Sequence, residues 1–125
     1  MLNETEAIAT IAVKNLARAS AFYADRLGFE EVSREGDEVI TYGSGRGILF
    51  VYRSPLAGTN EATAATWSVD DRFDLVIAKL HAAGIRFEHY DLPGLARHGD
   101  VHQGGGMKVA WFKDPDGNVL SVVGR

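Results

Sequence analysis

Two histidines flank an aspartate in the run His98-Gly99-Asp100-Val101-His102. In an extended segment alternate side chains face one way, so the three could share a metal ion or supply a general base. The competing expectation is a pair of solvated loop histidines, because polar clusters in loops are ordinarily hydrated. Tyr90 lies close by in sequence. His89 and His81 are weaker candidates, His81 falling at the exposed edge of a predicted helix. There is no cysteine, which excludes a disulfide, a thiol nucleophile and a thiolate metal site. Gly104-Gly105-Gly106 is not a phosphate loop, since neither a Lys-Ser/Thr pair nor a helix start follows it. It reads instead as a flexible hinge.

The elements that must position these residues are legible in the patterning. Residues 7–13 form an apolar run that suits a strand buried on both faces. Asn15 then has the character of a helix N-cap. Leu16, Ala19, Tyr23 and Leu27 share one helical face, and Gly28 sits where a left-handed stop is needed. Strands are expected at 29–34, 38–42 and 48–53, with turn-like breaks at 35–37 and 43–45. Residues 54–62 read as a linker. The pattern then returns: a strand at 64–69, a cap at Asp70 or Asp71, an apolar stripe of Phe73, Val76, Ile77 and Leu80, and a stop at Gly84. Strands follow near 85–88, 108–112 and 118–123. Residues 91–106 read as a long loop, the kind that often serves as a lid.

Counting makes the repeat explicit. Val13 to Val69, Asn15 to Asp71 and Gly28 to Gly84 are each separated by 56 positions. Strand end, helix cap and helix stop therefore recur in register. The last strands, 48–51 and 119–122, match at an offset of 71, so the second copy carries about 15 more residues, placed most simply within 91–106. The expectation is one α+β domain over 1–125, with modules at about 1–56 and 62–125, each βαβββ, curving around a shared cleft. Its 125 residues suffice for a core without staples. The 46% hydrophobic and 24% charged content is that of a globular chain. A net charge of −4 argues against nucleic acid as a partner. Met1-Leu2-Asn3-Glu4 lacks the marks of a signal peptide or membrane span, so a cytoplasmic location is expected.

Val13-Lys14-Asn15-Leu16, Ala21-Phe22-Tyr23 and Leu27-Gly28-Phe29 together resemble the opening signature of the vicinal oxygen chelate superfamily. That group includes glyoxalase I, bleomycin-resistance proteins and extradiol dioxygenases. The run from Ala110 to Asn118, with Asp114-Pro115-Asp116-Gly117-Asn118 at its end, resembles the closing signature. That last pentapeptide also has the chemistry of a tight turn between strands. The resemblance implies the glyoxalase/bleomycin-resistance fold and, commonly, a homodimer. Metal-dependent members use His and Glu ligands from the first and last strands of each module. Carried over by spacing, those positions fall at Ile8, Phe50, Ala64 and Ser121, none of them a usual divalent-metal ligand.

Alternation along the strands then predicts which side chains face the cleft. Ile8, Thr10 and Ala12 share one face, as do Ala64, Thr66 and Ser68, Phe50 and Tyr52, and Ser121 and Val123. Trp67 aligns with Ile11 and is expected in the core. Tyr90 and Met107 bracket the long loop and are expected at the entrance, with Trp111 as a further wall. The resemblance, with these four positions, implies a metal-independent small-molecule binding protein of the bleomycin-resistance type. An aromatic or drug-like compound is the expected ligand, with no cofactor. The alternative is a lyase, isomerase or dioxygenase-like enzyme using a displaced metal or the loop groups His98, Asp100 and His102. An accessory protein with a vestigial cleft is a third possibility.

Overall fold

The computed structural model describes residues 1–125. After a 3₁₀ turn at Leu2–Glu4 comes β1 (Ala9–Val13). Asn15 is extended, and its side chain accepts the Arg18 N–H at 2.9 Å, satisfying one free amide of α1 (Leu16–Ser20). The helix continues as a π-helical stretch, Ala21–Arg26, which its sequence did not signal. Gly28 stops it at φ +82. Three strands follow, β2 (Glu30–Glu35), β3 (Val39–Ser44) and β4 (Gly47–Arg53). They make a sheet in the order β1-β4-β3-β2, with β1 parallel to β4 and the other pairs antiparallel. Every residue of the edge strand β2 is exposed. Its charged Glu30, Glu31, Arg34 and Glu35 disfavour pairing with a foreign strand.

The second half repeats this plan. It has β5 (Thr63–Asp70), α2 (Phe73–Ala82), β6 (Phe87–Glu88), β7 (Ala96–His98), β8 (Val101–Gly104), β9 (Met107–Lys113) and β10 (Val119–Gly124). The sheet runs β5-β10-β9-β8-β7, with β6 paired to β9 and β5 parallel to β10. Register confirms the internal repeat. Thr10 lies opposite Phe50, and Thr66, 56 positions after Thr10, lies opposite Ser121, 71 after Phe50. The helix stop recurs as well, since Gly84 has the same φ of +82 as Gly28.

Four local expectations are corrected. The cap of α2 is Arg72, which makes no side-chain cap bond. Asp70 still belongs to β5, at φ +50, with its carbonyl taken by the Arg125 N–H. β1 begins at Ala9 rather than at residue 7. The segment 91–106 is not all loop: β7 and β8 form a hairpin that adds to β9. Gly105 and Gly106 are the tight turn between β8 and β9, at φ +58 and +79, and not a hinge. Two successive positive φ values suit a two-residue hairpin, which explains the glycines.

One cluster of 18 buried hydrophobic residues unites the two modules. Ile11, Val13, Leu49 and Val51 enter it from the first sheet, and Ala110, Phe112, Leu120 and Val122 from the second. Leu16, Ala19, Phe22, Phe73 and Ile77 come from the helices. Burying one such large side chain contributes about 1.5–3 kcal/mol. Aromatic contacts cross the module boundary: Phe22 lies 6.5 Å from Phe112 and Phe29 lies 5.5 Å from Trp67. Trp67, expected in the core, is half-buried and packs against it, and its indole N–H donates to Ser44 at 3.1 Å.

The β9–β10 turn straps the modules together. The Asp114 carboxylate accepts four hydrogen bonds, from the Tyr23 hydroxyl (2.8 Å), the Asn118 side chain (2.8 Å) and the backbone N–H groups of Asp116 and Asn118 (2.9 Å each). Asn118 also donates to the Ala12 carbonyl at 2.7 Å, and Asp116 pairs with Arg18. The linker passes so close that a Cβ at Gly58 would stand 2.0 Å from the Asp116 carbonyl oxygen. No helix is long and apolar enough to cross a membrane.

Candidate functional site

Core packing occupies one face of each sheet; the opposite face is open along β1 and β5 and covered at β10. Period-two alternation decides the facing: Ile11, Val13, Leu49 and Val51 are buried, while the residues between them turn the other way. On that second face Thr10 is exposed, Ala12 and Phe50 are half-buried and Tyr52 is 38% exposed. In the second module Ala64, Thr66 and Ser68 are exposed in the same way.

The two modules touch along β1 and β5. Two hollows flank this junction. The larger, about 650 Å³, has Ile8, Ile48, Thr66 and Trp67 in its wall, together with Glu6 and Arg46. The smaller, about 160 Å³, is lined by Thr10, Ala12, Tyr52 and Ala64. Junctions of this kind are frequent ligand sites. The structure thus gathers Ile8 with Thr66, and Thr10 with Tyr52 and Ala64.

The four positions that the resemblance assigns to metal ligands do not suit a metal. Ile8, Phe50 and Ala64 offer no donor atom. Ser121 has one, but it is only 3% exposed and its hydroxyl is bonded to Thr66 Oγ1 at 2.7 Å. No group of three His, Cys, Asp or Glu side chains is placed to hold a metal ion.

The loop candidates part company. Asp100 bonds neither His98 nor His102. Its carboxylate meets two histidines from other elements, His89 Nε2 at 2.7 Å on one oxygen and His81 Nε2 at 3.1 Å on the other. The carboxylate thus links the two rings, one through each oxygen. Its effect is to pin the β7–β8 hairpin to α2 and to the segment after β6. His98 is exposed at the edge strand β7. His102 is completely buried. Strand pairing explains the split, because His102 lies opposite Val109 of β9 and so turns onto the same face as Trp111.

There His102 belongs to an aromatic group that sequence reasoning did not assemble. Its ring is edge-on to Trp111 at 4.8 Å, and Tyr90 lies 5.3 Å from Trp111. The Tyr90 backbone N–H donates to His102 Nε2 at 3.0 Å. The ring proton of the neutral imidazole therefore sits on Nδ1, which has no partner. Burial, and then the Glu88 carboxylate, push the Tyr90 hydroxyl above its ordinary pKa, so it is protonated at neutral pH. The Trp111 indole donates to Thr63 Oγ1 at 3.2 Å, and Ser121 lies opposite Trp111 in the sheet. Tyr90 and Trp111 are thus brought together, whereas Met107 is 43% exposed at the far β8–β9 turn.

Comparison with known proteins agrees with this architecture. The family model for the glyoxalase/bleomycin resistance protein/dioxygenase superfamily matches residues 7–122. A bleomycin-binding protein in complex with bleomycin superposes with a TM-score of 0.72 at 21% identity, over 96% of this chain and 98% of that one. A lactoylglutathione lyase from Agrobacterium tumefaciens gives 0.70 at 20%, over 96% and 93%. A fosfomycin resistance protein from Listeria monocytogenes gives 0.65 at 14%, over 96% and 90%. At these identities the likeness establishes the fold. No curated protein sequence matches the chain.

Proposed function

Because the chain belongs to the glyoxalase/bleomycin resistance protein/dioxygenase superfamily, we propose that it is a metal-independent binding protein for a small aromatic or drug-like molecule. The ligand lies on the face opposite the helices, along the β1–β5 junction. One observation carries the reading: the positions that would hold the metal present Ile8, Phe50, Ala64 and a Ser121 already bonded to Thr66. Without donors there, polarising a bound oxygen has no basis in this set. Apolar and aromatic side chains beside hydroxyls favour instead a planar ligand with a few polar groups. On this reading Ile8, Thr10, Phe50, Tyr52 and Thr66 contact the ligand, with Tyr90, Trp111 and Ser121 supporting the second module's half. The enzyme alternative has no gathered set of groups, since His98, Asp100 and His102 make separate contacts.

A thermal-shift screen of planar antibiotics and aromatic metabolites tests this. A ligand at a hundredfold excess over its Kd stabilises by about 2.7 kcal/mol. For a domain of this size that is a rise in Tm of about 10 °C. Phe50→Ala is expected to weaken a hit at least tenfold in calorimetry. No hits, or a hit indifferent to Phe50→Ala, overturns the proposal, as does one metal ion held tightly per chain in elemental analysis. The reading includes a homodimer, because a second copy would cover the exposed Thr10, Tyr52 and Thr66. A concentration-independent monomer in sedimentation refutes that part. It also places the protein in the cytoplasm, which cell fractionation checks.

A further inference from the structure

A third hollow, about 470 Å³, lies on the helix side of the molecule, away from the β1–β5 junction. Its charged lining is Arg18 and Arg26 from the first helix, Arg86 from the turn after α2, Glu88 from β6, and Lys113 and Asp114 from the end of β9. Four cations around one depression are unexpected in a chain of net charge −4.

The partners of these groups decide what the hollow can bind. Arg18 is paired with Asp116, and Lys113 with Glu88 at 3.4 Å. Asp114 offers the hollow little as an acceptor, because its four hydrogen bonds use up its lone-pair sites. Arg26 and Arg86 make no ion pair or side-chain hydrogen bond. Arg26 and Arg86, from different modules, therefore line the hollow without a paired carboxylate, and together they outweigh the one unpaired negative charge in its wall, that of Asp114. The π-helical stretch supplies Ala21, Phe22 and Arg26 to its wall. Such stretches are rare and concentrate at functional sites. Arginine forks match the oxygens of a phosphate, and the volume exceeds what one phosphate fills, leaving space for an organic group against Phe22, Ile85 and Pro115.

We propose that this hollow is a second binding site, for the phosphate group of a small organic phosphate. It spans the two modules, so occupation couples the first helix to the turn before β6. The proposal does not depend on what the β1–β5 junction binds.

The test is a titration of the whole protein with pyrophosphate at low ionic strength, followed by amide NMR, with succinate and sodium chloride as comparison probes. Saturable shifts are expected at residues 84–88 and 18–26. Arg26→Ala/Arg86→Ala is expected to raise the pyrophosphate Kd at least tenfold. Both side chains are exposed and unpartnered, so the Tm of that double variant should stay within about 4 °C of the parent, as two surface substitutions allow. Phe50→Ala should leave the titration unchanged, which separates this site from the junction. Non-saturating shifts, shifts spread over all basic residues, a Kd within twofold of the parent in the double variant, or succinate binding as tightly as pyrophosphate each overturn the proposal.

Discussion

Replacing Tyr23 by Phe tests the strap that holds the two modules in register. The Tyr23 ring is fully buried and packs edge-on to Phe22 at 5.2 Å, contacts that a phenylalanine keeps. The substitution deletes one hydroxyl and with it the 2.8 Å bond to Asp114. A hydrogen bond to a charged group contributes about 1.5–3 kcal/mol, so the expected loss at pH 7 is about 2 kcal/mol. With about 2.1 cal/mol/K of unfolding entropy per residue, that lowers the Tm by roughly 7 °C. The pH dependence supplies a second signature. Burial first, then the Asp114 charge, hold the Tyr23 hydroxyl far above its ordinary value of 10.0. The unfolded chain releases this proton above about pH 10 while the folded chain keeps it. The stability contributed by Tyr23 is thus complete below pH 10 and falls by about 1.4 kcal/mol per pH unit above it. Phe cannot titrate, so the gap between the two proteins should shrink from about 2 kcal/mol at pH 9 to about zero near pH 11.5. Tyr42 and Tyr90 also have raised values, but both proteins share them and they cancel in the difference. Urea unfolding of both proteins from pH 7 to 11.5 measures it. A gap that stays constant across this range refutes the account of Tyr23 as a buried donor to a charged partner.

Two further outcomes follow from the same bookkeeping of buried groups. Thr66→Val removes the partner of the Ser121 hydroxyl and is expected to cost about 1 kcal/mol in urea unfolding. Adding Ser121→Ala should return most of that loss, and a double variant weaker than the sum of the two singles would contradict the pairing. Asp100→Ala frees the β7–β8 hairpin from His81 and His89. Amide exchange over 96–104 should accelerate at least tenfold while global stability falls by less than about 1 kcal/mol, because both histidines are half exposed. Unchanged exchange would mean that strand pairing with β9 alone holds the hairpin.

What could be read from sequence was what local chemistry dictates. Gly28 and Gly84 announced two helix stops because a left-handed residue leaves few alternatives to glycine, and both sit at the same φ. The shared offsets matched Ile8 with Ala64 and Phe50 with Ser121, and the strand pairing, Thr10 against Phe50 and Thr66 against Ser121, keeps those offsets. The readings that failed depended on distant partners. Asp114-Pro115-Asp116-Gly117-Asn118 was legible as a turn, but Tyr23 and Ala12, which make it a strap, lie 91 and 106 positions from their partners in it. The hairpin at 96–104 is built of strands too short to alternate visibly and depends on β9. His102 looked like a solvated loop residue because Tyr90, 12 positions away, and Trp111 bury it only once that hairpin forms.

Duplication and divergence together account for the character of the proposed junction. Equivalent strand positions in a repeat begin as copies of one another, so a ligand lying across the pseudo-symmetric junction would at first meet two like surfaces. Here they have become unlike. Ile8 is matched by Ala64, Phe50 by Ser121, Tyr52 by Val123 and Ala12 by Ser68, while Thr10 and Thr66 remain alike. The exposed ring of Tyr52 and the half-buried ring of Phe50 offer stacking area at small entropic cost, whereas the opposite wall offers hydroxyls. Ser121 is committed to Thr66, but a hydroxyl pair in which either atom can donate retains spare acceptor capacity. A ligand with an aromatic end and a polar end therefore has one preferred orientation across the junction. On the proposed reading, such polarity makes Phe50→Ala and Thr66→Val unequal in effect. The first should weaken any aromatic ligand, while the second should discriminate only among ligands by their polar ends.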